Sequence, residues 1–179
     1  AGGGSELFRL ELAGNANRVW QESFRLSLGE GAEIVEIHPS PSIVWAVTKD
    51  DVRAFDTEKK SMAGALPISF WPGSVRVVGD QLIGLDRQLD LVAIGIDSAK
   101  TPKENWRTSL PSLPITRWVV DESQLHLATA QGILLTLNLT DGKVVSESKL
   151  ARSMRDGPIK LGSQWFGLAT DGSLVAWPK

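Results

Sequence analysis

The 179-residue sequence contains no cysteine and no tyrosine, and only two histidines and two methionines. Without cysteine there is no disulfide framework, no thiolate metal site and no thiol nucleophile. That absence suits a secreted or periplasmic chain and a cytosolic one equally. No apolar run approaches the roughly 20 residues needed to span a bilayer, so a membrane-spanning helix is not expected. An excess of one charge is missing too: 19 Lys and Arg stand against 21 Asp and Glu, and the longest basic run is Lys59-Lys60. A nucleic-acid binder should show a basic excess or stripe, so no nucleic-acid partner is expected. Long stretches of helical apolar spacing are also lacking.

The scarce histidines do not assemble a site. His38 ends a strand-like run in Glu36-Ile37-His38-Pro39, and His126 lies mid-strand between Leu125 and Leu127. A zinc site needs three or four ligands, and a histidine triad needs a nucleophile and an orienting acid. No spacing supplies either, so both histidines read as structural or surface residues. The acidic pairs Asp50-Asp51, Asp86/Asp90 and Asp121-Glu122 fall at turns, where Asp bonds nearby backbone N–H groups. Asn138-Leu139-Thr140 matches a glycosylation sequon inside the repeat core and reads as chance. No EF-hand loop, P-loop or Rossmann fingerprint is present. The expectation is therefore no catalytic residue, no metal ligand and no cofactor: a non-enzyme.

What is present is short, β-type and repeated. Runs such as 42–48, 75–78 and 133–139 alternate with Gly, Asp, Asn and Pro, which reads as a sandwich, barrel or propeller. Asp56, Asp97 and Asn138 each follow a strand-like run at a spacing of 41 residues, preceded by Phe55, Ile96 and Leu137. Leu127-Ala128-Thr129 recurs as Leu168-Ala169-Thr170 at the same spacing, and Ser123-Gln124 recurs as Ser163-Gln164. Each unit holds about four strand-sized segments, the composition of one propeller blade. In the clearest unit these are 115–120, 124–129, 133–139 and 144–149. One such sheet cannot bury both faces alone, so neighbouring units must stack on it.

The expected fold is all-β: a small or partial β-propeller of about four to five four-stranded antiparallel blades. A linker-like segment, 1–5, precedes a single domain, 6–179. Its units are 6–32 (partial), 33–70, 71–110, 111–150 and 151–179 (partial). The N-terminal strand through Trp20 and Phe24 is expected to pair with the three C-terminal strands, which removes an open edge. A strand at Leu7–Leu12 is then left over. Either it adds to an edge, or the chain is an arc completed by another chain or by further sequence.

The run Gly132-Ile133-Leu134-Leu135-Thr136-Leu137-Asn138-Leu139-Thr140-Asp141-Gly142-Lys143 resembles the repeat of quinoprotein-like (PQQ-like) and WD40-like β-propellers. Residues 51–56 and 91–97 are similar but degraded. The resemblance covers most of the chain from about residue 33 and is shared by catalytic and scaffold members. Family enzymes are much larger and hold a quinone and a calcium ion on the axis. No ligand set matches here, and Val144-Val145-Ser146 replaces the tryptophan that usually ends the repeat. A weaker likeness joins Val44-Trp45-Ala46-Val47 to tectonin-like sugar-binding propellers.

Seven tryptophans remain to be placed. Trp45, Trp165 and Trp177 lie inside strands and are expected to pack between blades. Core packing is the expected role of each tryptophan taken singly; for a surface, Phe70, Trp71, Trp106 and Arg117 are the candidate protein-binding residues, since aromatic and Arg side chains dominate binding hot spots. The function expected is a non-enzymatic scaffold mediating protein–protein interaction in a larger assembly, a protein complex subunit with self-association through edge strands as a further possibility. The alternative is a small-molecule propeller binding a quinone-like or sugar ligand. The compartment is open, with a lean towards periplasmic or extracytoplasmic drawn from the resemblance.

Overall fold

The computed structural model describes residues 6–13, 19–27 and 32–177. The linker-like segment 1–5 lies outside the described residues, as do the side chains of Trp20, Phe24 and Arg117. By density of internal contacts the chain forms two compact units. One comprises Ala1–Arg87 with Ile94–Glu104, and the other Gln88–Ala93 with Asn105–Lys179.

Every described element is a strand. A hairpin of β1 (Glu6–Ala13) and β2 (Val19–Ser27) comes first. Then come β3 (Ile34–Pro39), β4 (Ile43–Thr48), β5 (Val52–Asp56) and β6 (Ser61–Leu66) as one four-stranded sheet. A second four-stranded sheet holds β7 (Arg76–Val78), β8 (Gln81–Leu85), β9 (Asp90–Ile96) and β10 (Pro102–Ser109). A third holds β11 (Pro114–Asp121), β12 (Gln124–Thr129), β13 (Ile133–Asn138) and β14 (Val144–Lys149). The last sheet has three strands, β15 (Met154–Leu161), β16 (Gln164–Ala169) and β17 (Leu174–Ala176). Within each sheet the strands pair in chain order, as short turns between antiparallel neighbours dictate.

The N-terminal pairing differs from the sequence expectation. β2 pairs with β1 along its length, from Glu6↔Ser27 to Ala13↔Val19. It does not complete β15–β17, and the strand at Leu7–Leu12 is not left over. A chain reversal between adjacent segments closes only a short loop, whereas pairing with the C-terminal sheet closes almost the whole chain.

The 41-residue repeat has a physical basis at its Asp and Asn positions. Asp56 Oδ1 accepts the N–H groups of Glu58 and Lys59 at 2.9 and 3.0 Å. Asp97 Oδ1 accepts those of Ala99 and Thr101 at 2.9 and 2.8 Å. Asn138 Oδ1 accepts that of Thr140 at 2.7 Å. Each side chain thus starts the turn that leads into the fourth strand, which is why only Asp or Asn recurs there. The register shift between Ala54 and Phe55 in β5–β6 recurs between Thr136 and Leu137 in β13–β14, two repeats later. A bulge at one repeat position bends and twists each outer strand in the same way.

Burial follows the order of strands. The middle strands β4, β5, β8, β9, β12 and β13 are almost wholly buried, β3 alternates, and the outer β14 is exposed. A strand buried on both faces cannot alternate in hydropathy, which explains continuous runs such as Leu82-Ile83 and Leu91-Val92-Ala93-Ile94. In the second unit, Ala128 and Leu134 of the third sheet pack with Met154, Ala169 and Trp177 of the last. The Trp177 indole donates to the Gly132 carbonyl at 3.1 Å, and a Cβ on Gly167 has no room against its ring.

Candidate functional site

The four proposed surface residues separate on burial. Phe70 is 3% exposed and Trp106 is 6% exposed, so neither ring is available to a partner. The reasons differ. Phe70 forms an isolated bridge with Asp86, and alternation along an extended segment turns its ring inward while Trp71 turns out. Its ring fills the space above Gly84, where a Cβ would come within 2.8 Å. Trp106 lies within β10, and its indole donates to the Leu139 carbonyl at 2.8 Å. It covers Gly142 at the turn before β14, where a Cβ would meet the ring at 2.5 Å. Thr108, two residues on, donates to the Gly142 carbonyl at 2.6 Å. The backbone of Arg117 runs in β11.

Trp71 is the exposed member, at 43%. Its N–H donates to the Leu85 carbonyl, and the N–H of Arg87 donates to the Ser69 carbonyl at 3.1 Å. Segments 69–71 and 85–87 therefore run antiparallel, and Trp71 and Arg87 become diagonal neighbours. The Arg87 guanidinium stacks 4.8 Å from the Trp71 ring centroid. Arg87 was not singled out in the sequence because no local spacing joins residues 71 and 87; only the strand register does.

The other polar clusters are internally engaged. Asp51 binds Arg53 through both carboxylate oxygens at 2.9–3.1 Å and accepts the Thr48 hydroxyl at 2.6 Å. Burial works to raise the Asp51 pKa, but the bonds from Arg53 and Thr48 outweigh it and leave it lowered. His38 pairs with Glu36 at 2.9 Å. Asp90 holds Ser109 at 2.7 Å and Arg107 at 3.3 Å. Lys100 bridges Asp56 and Glu58 at 3.0 and 2.8 Å.

His126 is buried, with Nδ1 3.0 Å from the Thr136 hydroxyl and its ring 4.3 Å from that of Trp165. Lys160 pairs with Asp121 and lies 5.7 Å from the Trp165 ring. Burial lowers the His126 pKa, opposed by the charge of Asp121 and aided by that of Lys160. Nε2 of His126 is buried without a hydrogen-bond partner. These side chains join β11 and β12 to β15 and β16. Among the described residues no group of three or more His, Asp or Glu is placed to hold a metal ion. No described helix is long and apolar enough to cross a membrane.

No family model matches the chain, and no curated protein does. Solved structures do. BamB from Moraxella catarrhalis superposes with a TM-score of 0.60 at 15% identity, over 87% of this chain and 48% of that one. The fold is β-propeller-like. The computationally designed Ika8 protein gives 0.59 at 14% identity, over 88% of this chain and 49% of its own. The designed Ika4 protein gives 0.56 at 11% identity, over 83% of this chain and 92% of its own. The chain thus spans about half the length of BamB and of Ika8 and nearly all of Ika4. At such identities the likeness carries the fold and not an activity.

Proposed function

We propose that this chain is a non-enzymatic β-propeller scaffold, of PQQ-like or WD40-like descent, that mediates protein–protein interaction within a larger assembly. The observation that carries it is Trp71, a large aromatic held in the open beside a stacked arginine on a fixed turn. Tryptophan and arginine together are the residues that most often anchor a protein interface. The coarse likeness to BamB supports a propeller scaffold. The test is affinity capture of the tagged chain from its native extract, followed by identification of what co-purifies. A reproducible stoichiometric protein partner is expected. Recovery of the chain alone, or of a bound quinone or sugar, refutes the scaffold role.

Self-association is a second reading, and the last sheet favours it. β17 is the outer strand of the only three-stranded sheet among the described residues, and its Leu174 is 61% exposed. β16 takes Val175 as its partner at Gly167, which leaves the backbone groups of Leu174 and Ala176 facing outward. An open edge of this kind accepts a further strand.

A further inference from the structure

We propose that the Trp71 turn, flanked by Arg76 and Arg87, anchors an acidic segment of the partner protein, a statement that rests on the scaffold role above and adds the partner's chemistry. The turn is preorganised. In Trp71-Pro72-Gly73-Ser74 the Trp71 carbonyl accepts both the Ser74 N–H at 3.1 Å and the Ser74 hydroxyl at 2.7 Å. Pro72 presets its own φ, and Gly73 takes φ 77°, the pattern of a type II turn. From outside the turn, the Leu85 N–H donates to Ser74 Oγ at 3.1 Å and Glu36 accepts the Gly73 N–H at 2.5 Å. Little further ordering is needed on binding, so contact energy is not spent on fixing the loop.

Two guanidinium groups flank the turn, and Glu36 is bonded to it through the Gly73 N–H. Arg87 is exposed, stacks on Trp71 and gives its Nε to Ser69 Oγ at 3.3 Å. Arg76 is exposed and is held to the turn through Nη1, which donates to the Val75 and Gly73 carbonyls at 2.7 and 3.3 Å. Among the described residues neither guanidinium has a carboxylate partner. Glu36 is engaged by the Gly73 N–H and by His38, and Asp86 is buried. On a chain of net charge −2, two arginines against one engaged carboxylate give this turn a local positive excess beside an apolar ring. Its complement is a carboxylate beside a ring or proline: the carboxylate pairs with guanidinium N–H groups and the ring lies on the indole.

The test is selection of a random 12-residue peptide library displayed on phage (about a billion members) against the immobilised chain. The Trp71→Ala and Arg87→Glu chains serve as counter-targets; both replace exposed side chains, and circular dichroism checks their folds. Selected peptides should carry Asp or Glu next to Pro or an aromatic. A synthetic consensus peptide should bind about tenfold or more weakly to each variant, and more weakly as salt rises. Three results overturn the proposal: no selected peptide, neutral or basic peptides, or acidic peptides that bind both variants as well as the parent. Binding of a single-stranded oligonucleotide in place of peptides also overturns it. Capture from native extract separates the two levels. A partner retained by the Trp71→Ala/Arg87→Glu chain removes this surface and leaves the scaffold role standing; no partner for the parent chain removes the scaffold role itself.

Discussion

Replacing Gly142 by alanine tests whether the Trp106 indole is consumed inside the protein. Gly142 has φ 68°, and a Cβ there meets Trp106 Cε3 at 2.5 Å, Cδ2 at 2.6 Å and Thr108 Oγ1 at 2.8 Å. Alanine in the left-handed region costs about 1–2 kcal/mol. Loss of unfolded-chain freedom offsets about 0.4–1 kcal/mol of that. Overpacking against a ring held by its own hydrogen bond adds about 1–3 kcal/mol. The expected total for Gly142→Ala is about 1.5–4 kcal/mol. Gly172 is the control: it has φ 85° with nothing within 4 Å of the added Cβ, so Gly172→Ala carries only the backbone part, about 0.5–1 kcal/mol. Urea unfolding followed by far-ultraviolet circular dichroism measures the difference. With a slope of about 2 kcal/mol per molar, the two midpoints should differ by about 0.5–1.5 M. In a Trp106→Leu background the gap should narrow, because the overlapping ring is gone and only Thr108 Oγ1 remains close. Equal losses at the two glycines, or a gap undiminished by Trp106→Leu, would refute the packing argument.

Further outcomes follow from the same contacts. Trp177→Ala removes a fully buried indole and its bond to the Gly132 carbonyl, and should destabilise by about 3–5 kcal/mol in the same urea assay. His126 has its pKa lowered from 6.5, so the unfolded chain takes up the proton first. Its contribution is therefore complete above about pH 7 and declines as pH falls through 6.5 towards the folded value. Urea midpoints measured from pH 7.5 to 5.5 should fall, and the fall should flatten in His126→Gln; an unchanged slope in that variant contradicts the assignment. If the β17 edge drives self-association, sedimentation equilibrium should show a dimer that Leu174→Lys dissociates, since charge on an edge blocks strand pairing. A monomer at all concentrations removes that second reading.

Much of the local structure was legible in the residues. The segments read as strands at 115–120, 124–129, 133–139 and 144–149 are β11 to β14 with ends shifted by a residue or so. Period-2 patterning and turn residues act over a few positions, so they leave their mark in the local sequence. The spacing of Asp56, Asp97 and Asn138 is legible for the same reason, because each caps a turn two to four residues away. The candidate site was only partly legible. Of the adjacent candidates, Trp71 is exposed and Phe70 is buried, and a shift of one residue in a strand exchanges the two faces.

Composition, the recurrent spacing and turn chemistry by themselves determined that the described chain is all-β, with three sheets of four antiparallel strands in chain order. Those are consequences of backbone geometry within one hairpin or the next. Tertiary structure alone decided where β2 pairs, that Trp106 spends its indole on Leu139 and Gly142, and that Arg87 rather than Phe70 stands beside Trp71. Each of those contacts joins side chains or strands whose relation is set by register and sheet packing, and no short-range pattern carries that information.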